Sequence, residues 1–151
     1  MNYDVLIVGT GVAGLYTALN LRDDIRILMI TKNTFRDCNS YLAQGGISTS
    51  LGIFDEESYF NDTMKAGNYH NDTKAVKLLI KNSIKNINTL IKMGVPFDRI
   101  ESKLRYTREG GHSNFRIVHV KDETGKWVTE TLLNIANNKK NITMLENTTL
   151  I

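Results

Sequence analysis

Residues 4–14 constrain the fold more than any other stretch: a short apolar run, Val5-Leu-Ile-Val8, is followed at once by Gly9-Thr-Gly11-Val-Ala-Gly14. An unbroken apolar run of this length reads as a parallel strand buried on both faces. The glycines then turn the chain into a helix. Gly9 permits the tight turn, Gly11 lets backbone approach a pyrophosphate, and Gly14 lets helix and strand pack closely. The helix N-terminus offers N–H groups and a dipole that favours negative charge. A glycine triplet alone says little, but strand before and helix after make it a dinucleotide-type turn.

A helix is expected over residues 13–22, its apolar face built from Leu15, Ala18, Leu19 and Leu21, and a second strand over 25–30. Together they form a βαβ unit, for which a right-handed crossover is the rule. Residues 31–52 are rich in Asn, Ser, Thr and Gly, too polar for a core element, and read as a functional loop. A helix follows over 55–65. A stronger one starts at Asn71 or Asp72, either of which can cap it. Its stripe, Val76, Leu79, Ile80, Ile84, Ile87, Leu90 and Ile91, has helical spacing and reads as core. Gly94 suits its end, and Pro96 prevents continuation. Residues 97–122 read as short strands around a second glycine loop, Arg108-Glu-Gly-Gly-His-Ser113. A last helix over 126–137, with Trp127 in the core, leads to a strand over 141–145.

The 151 residues suit one α/β domain, and 41% hydrophobic with 23% charged residues is ordinary for a soluble one. A net charge of +3 comes from scattered Lys and Arg, which argues against a nucleic-acid surface. The single cysteine, Cys38, excludes an internal disulfide and any cysteine-based metal site. With no cluster at ligand spacing, no metal is expected. The start lacks a signal peptide and no stretch is long enough to span a bilayer, so the expected location is cytoplasmic. The chain stops within an apolar run at Leu150-Ile151, which reads as a fragment.

The common NAD and FAD fingerprint ends its second strand on a carboxylate that binds ribose. Here the strand ends Met29-Ile30-Thr31-Lys32, against a simple NAD-binding domain. The next loop, Asn39-Ser-Tyr-Leu-Ala-Gln-Gly-Gly46, resembles the flavin loop of the succinate dehydrogenase, fumarate reductase and L-aspartate oxidase superfamily. A second stretch, Thr107-Arg-Glu-Gly-Gly-His-Ser113 with Arg116-Ile-Val-His119 and Asp122-Glu-Thr-Gly125, resembles that of L-aspartate oxidases in particular. The resemblance runs from Val5 to Ile151. It implies a Rossmann-like FAD-binding domain of the glutathione-reductase type, of which residues 1–151 are the N-terminal part. A capping domain and a C-terminal helical domain would lie outside the chain.

The resemblance further implies FAD-dependent oxidation of L-aspartate to iminoaspartate, with oxygen or fumarate as electron acceptor. Quinolinate synthase, in NAD biosynthesis, would be a downstream partner. The FAD would lie along Gly9, Thr10, Gly11, Val12, Ala13 and Gly14, then Lys32, then Asn39, Ser40, Tyr41, Leu42, Ala43, Gln44, Gly45 and Gly46, with Thr149 and Leu150 at the adenine. Respiratory members carry a flavin-bonded histidine where Asn39 stands, so FAD would be held non-covalently. Glu109 would orient the substrate through its ammonium. A surface Glu109 paired with Arg108 or Arg105 is the plainer alternative. His112 is expected to shape its loop, and His119 to be a satisfied structural histidine. Without the proton-donating arginine and most carboxylate-gripping residues of the family, these residues alone would lack turnover. A soluble fumarate reductase and a non-catalytic nucleotide-binding remnant are the other readings.

Overall fold

The structure, a computed structural model, describes residues 2–151. In chain order the elements are β1 (Val5–Val8), α1 (Val12–Asn20), β2 (Ile27–Ile30), α2 (Asn39–Leu42), β3 (Ile47–Ser48), α3 (Ile53–Ala66), α4 (Thr73–Lys92), β4 (Arg99–Ile100), β5 (Lys103–Leu104), β6 (Tyr106–Thr107), β7 (Ile117–Val118), α5 (Thr124–Asn137) and β8 (Ile142–Leu145). They form two compact units: residues 2–44 with 125–151, and residues 45–124. Among the described residues no helix is long and apolar enough to cross a membrane.

The first unit is built on a parallel sheet in the order β1-β2-β8, with Val5 beside Ile27 and Ile27 beside Ile142. Because side chains alternate along a strand, that register puts Val5, Ile7, Ile27, Met29, Ile142 and Met144 on one face. Ile27 and Met29 are fully buried there. The helix α1 lies against this face. A Cβ built on Gly14 would come 3.2 Å from Ile7 Cγ2 and 2.3 Å from the Gly9 carbonyl oxygen, so only glycine allows this approach. Leu15 and Ala18 of α1, and Val128, Leu132, Leu133 and Ala136 of α5, complete the unit's core.

The other sheet face corrects the expectation that β1 is buried on both sides: Leu6 is 47% and Val8 56% exposed. Among the described residues β1 stands at the sheet edge with one neighbour, and Leu145 on the same face is exposed too. Trp127 is likewise not core, since the buried side of α5 runs through Val128, Leu132 and Ala136 and leaves Trp127 39% exposed.

The second unit pairs α3 with α4 and adds the antiparallel sheet β3-β7-β6 and the ribbon β4-β5. Asp72, not Asn71, caps α4: its Oδ1 accepts the N–H of Lys74 at 2.7 Å and of Ala75 at 3.1 Å. The α4 stripe is narrower than its periodicity suggests. Val76, Ile80, Ile87 and Leu90 are buried, whereas Leu79 and Ile84 flank them in solvent. Tyr59, Met64, Val76 and Ile80 form the core between the helices. The chain leaves α4 through Gly94 at φ +102°, with Val95 N–H donating back to the Leu90 carbonyl at 3.0 Å, an ending that glycine favours. The polar stretch 31–52 is not all surface loop, because Thr49 and Ser50 are buried and Ser50 N–H donates to Ser83 Oγ at 2.8 Å.

Candidate functional site

In the first unit the parallel strands bring their carboxyl ends together, the side on which open α/β sheets bind ligands. The turn after β1 is there, tied by Gly9 N–H to the Ile30 carbonyl at 2.8 Å, with Gly9 at φ +105°. Thr10 is buried, and its hydroxyl donates to the Phe35 carbonyl at 3.2 Å. At the opening of α1, Val12 N–H donates to Ser40 Oγ at 3.0 Å, which brings the short helix α2 to the N-terminus of α1. Val12 and Ala13 are exposed at that N-terminus, and its N-cap, Gly11, has no side chain to cover it.

Lys32 follows β2 and is exposed. Beyond β8 the chain turns back beside it: Thr31 N–H donates to Leu145 O, Thr148 N–H to Thr31 O, and Asn147 N–H to Asn33 O. Thr149 and Leu150, both exposed, directly follow. Asn39, Ser40, Tyr41 and Leu42 are α2 itself. Its exit is held by Gly125 N–H donating to the Ala43 carbonyl at 2.9 Å, and a Cβ on Gly125 would strike the Ser40 carbonyl. Gln44 is exposed. Thus the first unit gathers Gly9 to Gly14, Lys32, Asn39 to Leu42 and Thr149–Leu150 at one end of its sheet. Two side chains missing from the sequence reading brace this end: Glu146, which accepts Phe35 N–H at 2.7 Å, and Glu130, paired with Arg36.

In the second unit Gly46 enters β3 so close to β7 that a Cβ would lie 2.3 Å from Ile117 Cγ2. Beside it, the atoms nearest to a Cβ on Gly45 would be those of the Glu109 carboxylate, 3.6 Å from both oxygens. Glu109 therefore sits at the paired glycines, exposed. Arg108 does not share that position: its guanidinium stacks 5.4 Å above the Phe115 ring. Glu109 begins a turn through Gly110 and Gly111, closed by His112 N–H on the Glu109 carbonyl at 3.2 Å, with Gly111 at φ +88°. A turn of this kind requires positive φ at its third residue.

Beneath the turn lies an ionic cluster that sequence reasoning missed. Arg116 is fully buried, and Asp55 with it. The guanidinium donates to Asp55 through Nε at 3.0 Å and Nη2 at 2.6 Å, to Ser58 Oγ at 3.0 Å, and through Nη1 to Asp62. It also lies 4.9 Å above the Tyr59 ring. Nη1 is 3.2 Å from His112 Nδ1. A guanidinium only donates, so Nδ1 accepts and the ring proton belongs on Nε2, which is 3.4 Å from Ser48 Oγ. Asn114 donates to Asp55 at 2.6 Å, and Ser113 gives both its N–H, at 2.7 Å, and its hydroxyl, at 2.6 Å, to Asp62.

Burial works to raise the Asp62 carboxyl, but the hydrogen bonds from Ser113 and Arg116 outweigh it and hold the group down to about 2. Asp55 is lowered in the same way, burial being overcome by Arg116, Asn114 and the Leu51 N–H. Burial opposes the Arg116 charge, yet its two carboxylate partners keep it above its ordinary range. His112 shapes its loop as expected. His119 is only half satisfied: Nδ1 lies 3.4 Å from Asp98 Oδ2, but the buried Nε2 has no partner.

The family model described as an FAD binding domain matches residues 4–151. The chain belongs to this family of FAD-binding domains. It is 54% identical over 145 residues to the L-aspartate oxidase of Clostridium acetobutylicum, covering 95% of this chain and 33% of that protein. To the L-aspartate oxidase of Clostridium perfringens it is 47% identical over 148 residues, 98% of this chain and 34% of the relative. The chain thus spans about a third of the length of the curated relatives it matches. Among solved structures, the E. coli quinol fumarate reductase FrdA shares its fold at a TM-score of 0.91 with 24% identity, over 97% of this chain and 26% of that one. The Mycobacterium smegmatis Sdh1 complex matches at 0.86 with 26% identity, over 96% and 27%. The α/β fold is that of the FAD-binding domain in this flavoprotein group.

Proposed function

We propose that this FAD-binding domain serves an L-aspartate oxidase, which takes L-aspartate to iminoaspartate. The observation that carries the reading is the Glu109 carboxylate beside Gly45, in a chain 54% identical to an L-aspartate oxidase. The cofactor fits the residues present. The N-terminus of α1 is exposed at Val12 and Ala13, as a pyrophosphate requires. On this reading Gly9 to Gly14 hold the pyrophosphate, Lys32 with Thr149 and Leu150 the adenosine half, and Asn39 to Gly46 the ribityl chain and ring edge. Asn39 has no nucleophilic nitrogen, so the hold is non-covalent. FAD supplies the hydride acceptor, and the chain's own residues bind and orient.

L-Aspartate differs from succinate by one ammonium group. A carboxylate about 4 Å from it contributes about 1 kcal/mol in bulk water and about 4 kcal/mol near a protein surface. At about 1.4 kcal/mol per tenfold, Glu109 would tilt that choice toward L-aspartate. Oxygen or fumarate would take the electrons, and quinolinate synthase would consume the product. The test is the flavin spectrum of the full-length reading frame that carries these residues. Anaerobic L-aspartate should bleach the bound-flavin band and succinate should not. Bleaching by succinate instead would make the protein a fumarate reductase type, and no flavin band would leave a nucleotide-binding remnant.

A further inference from the structure

The turn that carries Glu109 is closed by a single internal hydrogen bond, His112 N–H on the Glu109 carbonyl. Gly110 and Gly111 have open space where a Cβ would be, and the flanking Glu109 and Ser113 are exposed. Two consecutive glycines give a segment the greatest backbone freedom to lose. Its order comes from the next residue along: Ser113 donates N–H and hydroxyl to one carboxylate, Asp62. That carboxylate is in turn fixed by Arg116, whose second carboxylate, Asp55, is fully buried and also receives Asn114. The same guanidinium sets the His112 ring through Nδ1, and His112 N–H closes the turn on the Glu109 carbonyl. From Asp62 to Glu109 the links are thus consecutive and short.

We propose that Asp62, braced by Arg116, is a positioning residue for substrate selection: it anchors the Glu109–Ser113 turn so that the Glu109 carboxylate stays beside Gly45. This rests on the L-aspartate reading of Glu109. Asp62 touches neither substrate nor cofactor in it. Its effect must therefore pass through Glu109, be confined to substrates that carry an ammonium group, and vanish when Glu109 loses its charge.

The experiment is a double-variant cycle in the full-length protein loaded with FAD, measuring kcat and KM for L-aspartate and the inhibition constant of succinate. Asp62→Asn keeps the shape but loses the charge and one acceptor. It should raise KM for L-aspartate about tenfold, leave kcat within about twofold and leave succinate inhibition unchanged. In a Glu109→Gln background the same substitution should change nothing further. Ser113→Ala, which removes one of the two hydrogen bonds, should show the same pattern at smaller size, and it carries the cycle alone if Asp62→Asn does not fold. An equal loss for L-aspartate and succinate, a loss that persists with Glu109→Gln, or no loss at all overturns the proposal. If L-aspartate does not reduce the wild-type flavin, the functional reading fails first and takes this inference with it.

Discussion

The two glycine turns of this chain are built on opposite principles. The first, Gly9 to Gly14, is crowded where the helix meets the strand: Gly9 has open space, but a Cβ on Gly14 would lie 2.3 Å from the Gly9 carbonyl oxygen, and main-chain bonds hold the turn. The second, Glu109 to Ser113, is open, with no atom within 4 Å of a Cβ on Gly110 or Gly111. It is held by buried charge: Asp55, Arg116 and Asp62. One turn is shaped by space, the other by electrostatics. A close-packed turn suits a cofactor that stays in place. A charged tether lets a loop carry an exposed carboxylate at a fixed point without burying it.

Breaking the tether should have the largest effect. Arg116→Ala leaves two carboxylates, one fully buried, without their cation. Removing one partner of a buried pair costs about 3–5 kcal/mol, to be read from urea unfolding. Gly14→Ala sharpens the comparison. Overpacking against backbone should cost about 1–3 kcal/mol, whereas Gly110→Ala, with free space and no positive φ, should be close to neutral in the same assay. Near-equal losses at the two glycines would dissolve the distinction.

Acid provides the third comparison. The Asp62 carboxyl is lowered from 3.8 to about 2 in the folded chain. A depressed carboxyl stabilises the fold above its unfolded value and loses that contribution as pH falls, so its share, about 2 kcal/mol, should disappear between about pH 4 and pH 2. Asp62→Asn should flatten the acid limb of the unfolding curve over that range. Asp4 of the first unit also sits at about 2, chiefly through its hydrogen bond to Arg26, but that pair is exposed. Added salt should therefore erase the Asp4 effect and spare that of Asp62.

The first turn was legible because its determinants are contiguous: an apolar strand, the glycines, then Leu15 and Ala18 on one helical face. The strand and helix positions follow from the same local periodicity. Glu109 was legible through the motif around it. Its anchor was not, since Asp55 and Asp62 reach Arg116 across 61 and 54 residues. The one available signal was Arg116 itself, an arginine preceding Ile117-Val118 in an apolar strand, where a charge demands a partner. Burial of Leu6, Val8, Leu79 and Trp127 was misread for a related reason. Periodicity tells which face a residue takes, but the neighbours decide how much of that face is covered.

The chain's route through its two units also sets the order in which it can fold. β2 ends at Ile30, and its partner β8 begins at Ile142, so the parallel sheet closes only after the whole intervening segment has been made. Residues 45–124 form a contiguous unit that needs no such wait. Closing a long loop costs entropy that grows only slowly with its length, and it grows less when most of the loop is already compact. The inserted unit, ionic anchor included, is therefore the part that can form first during synthesis, while the β2–β8 pairing of the other unit waits for residues 142–145.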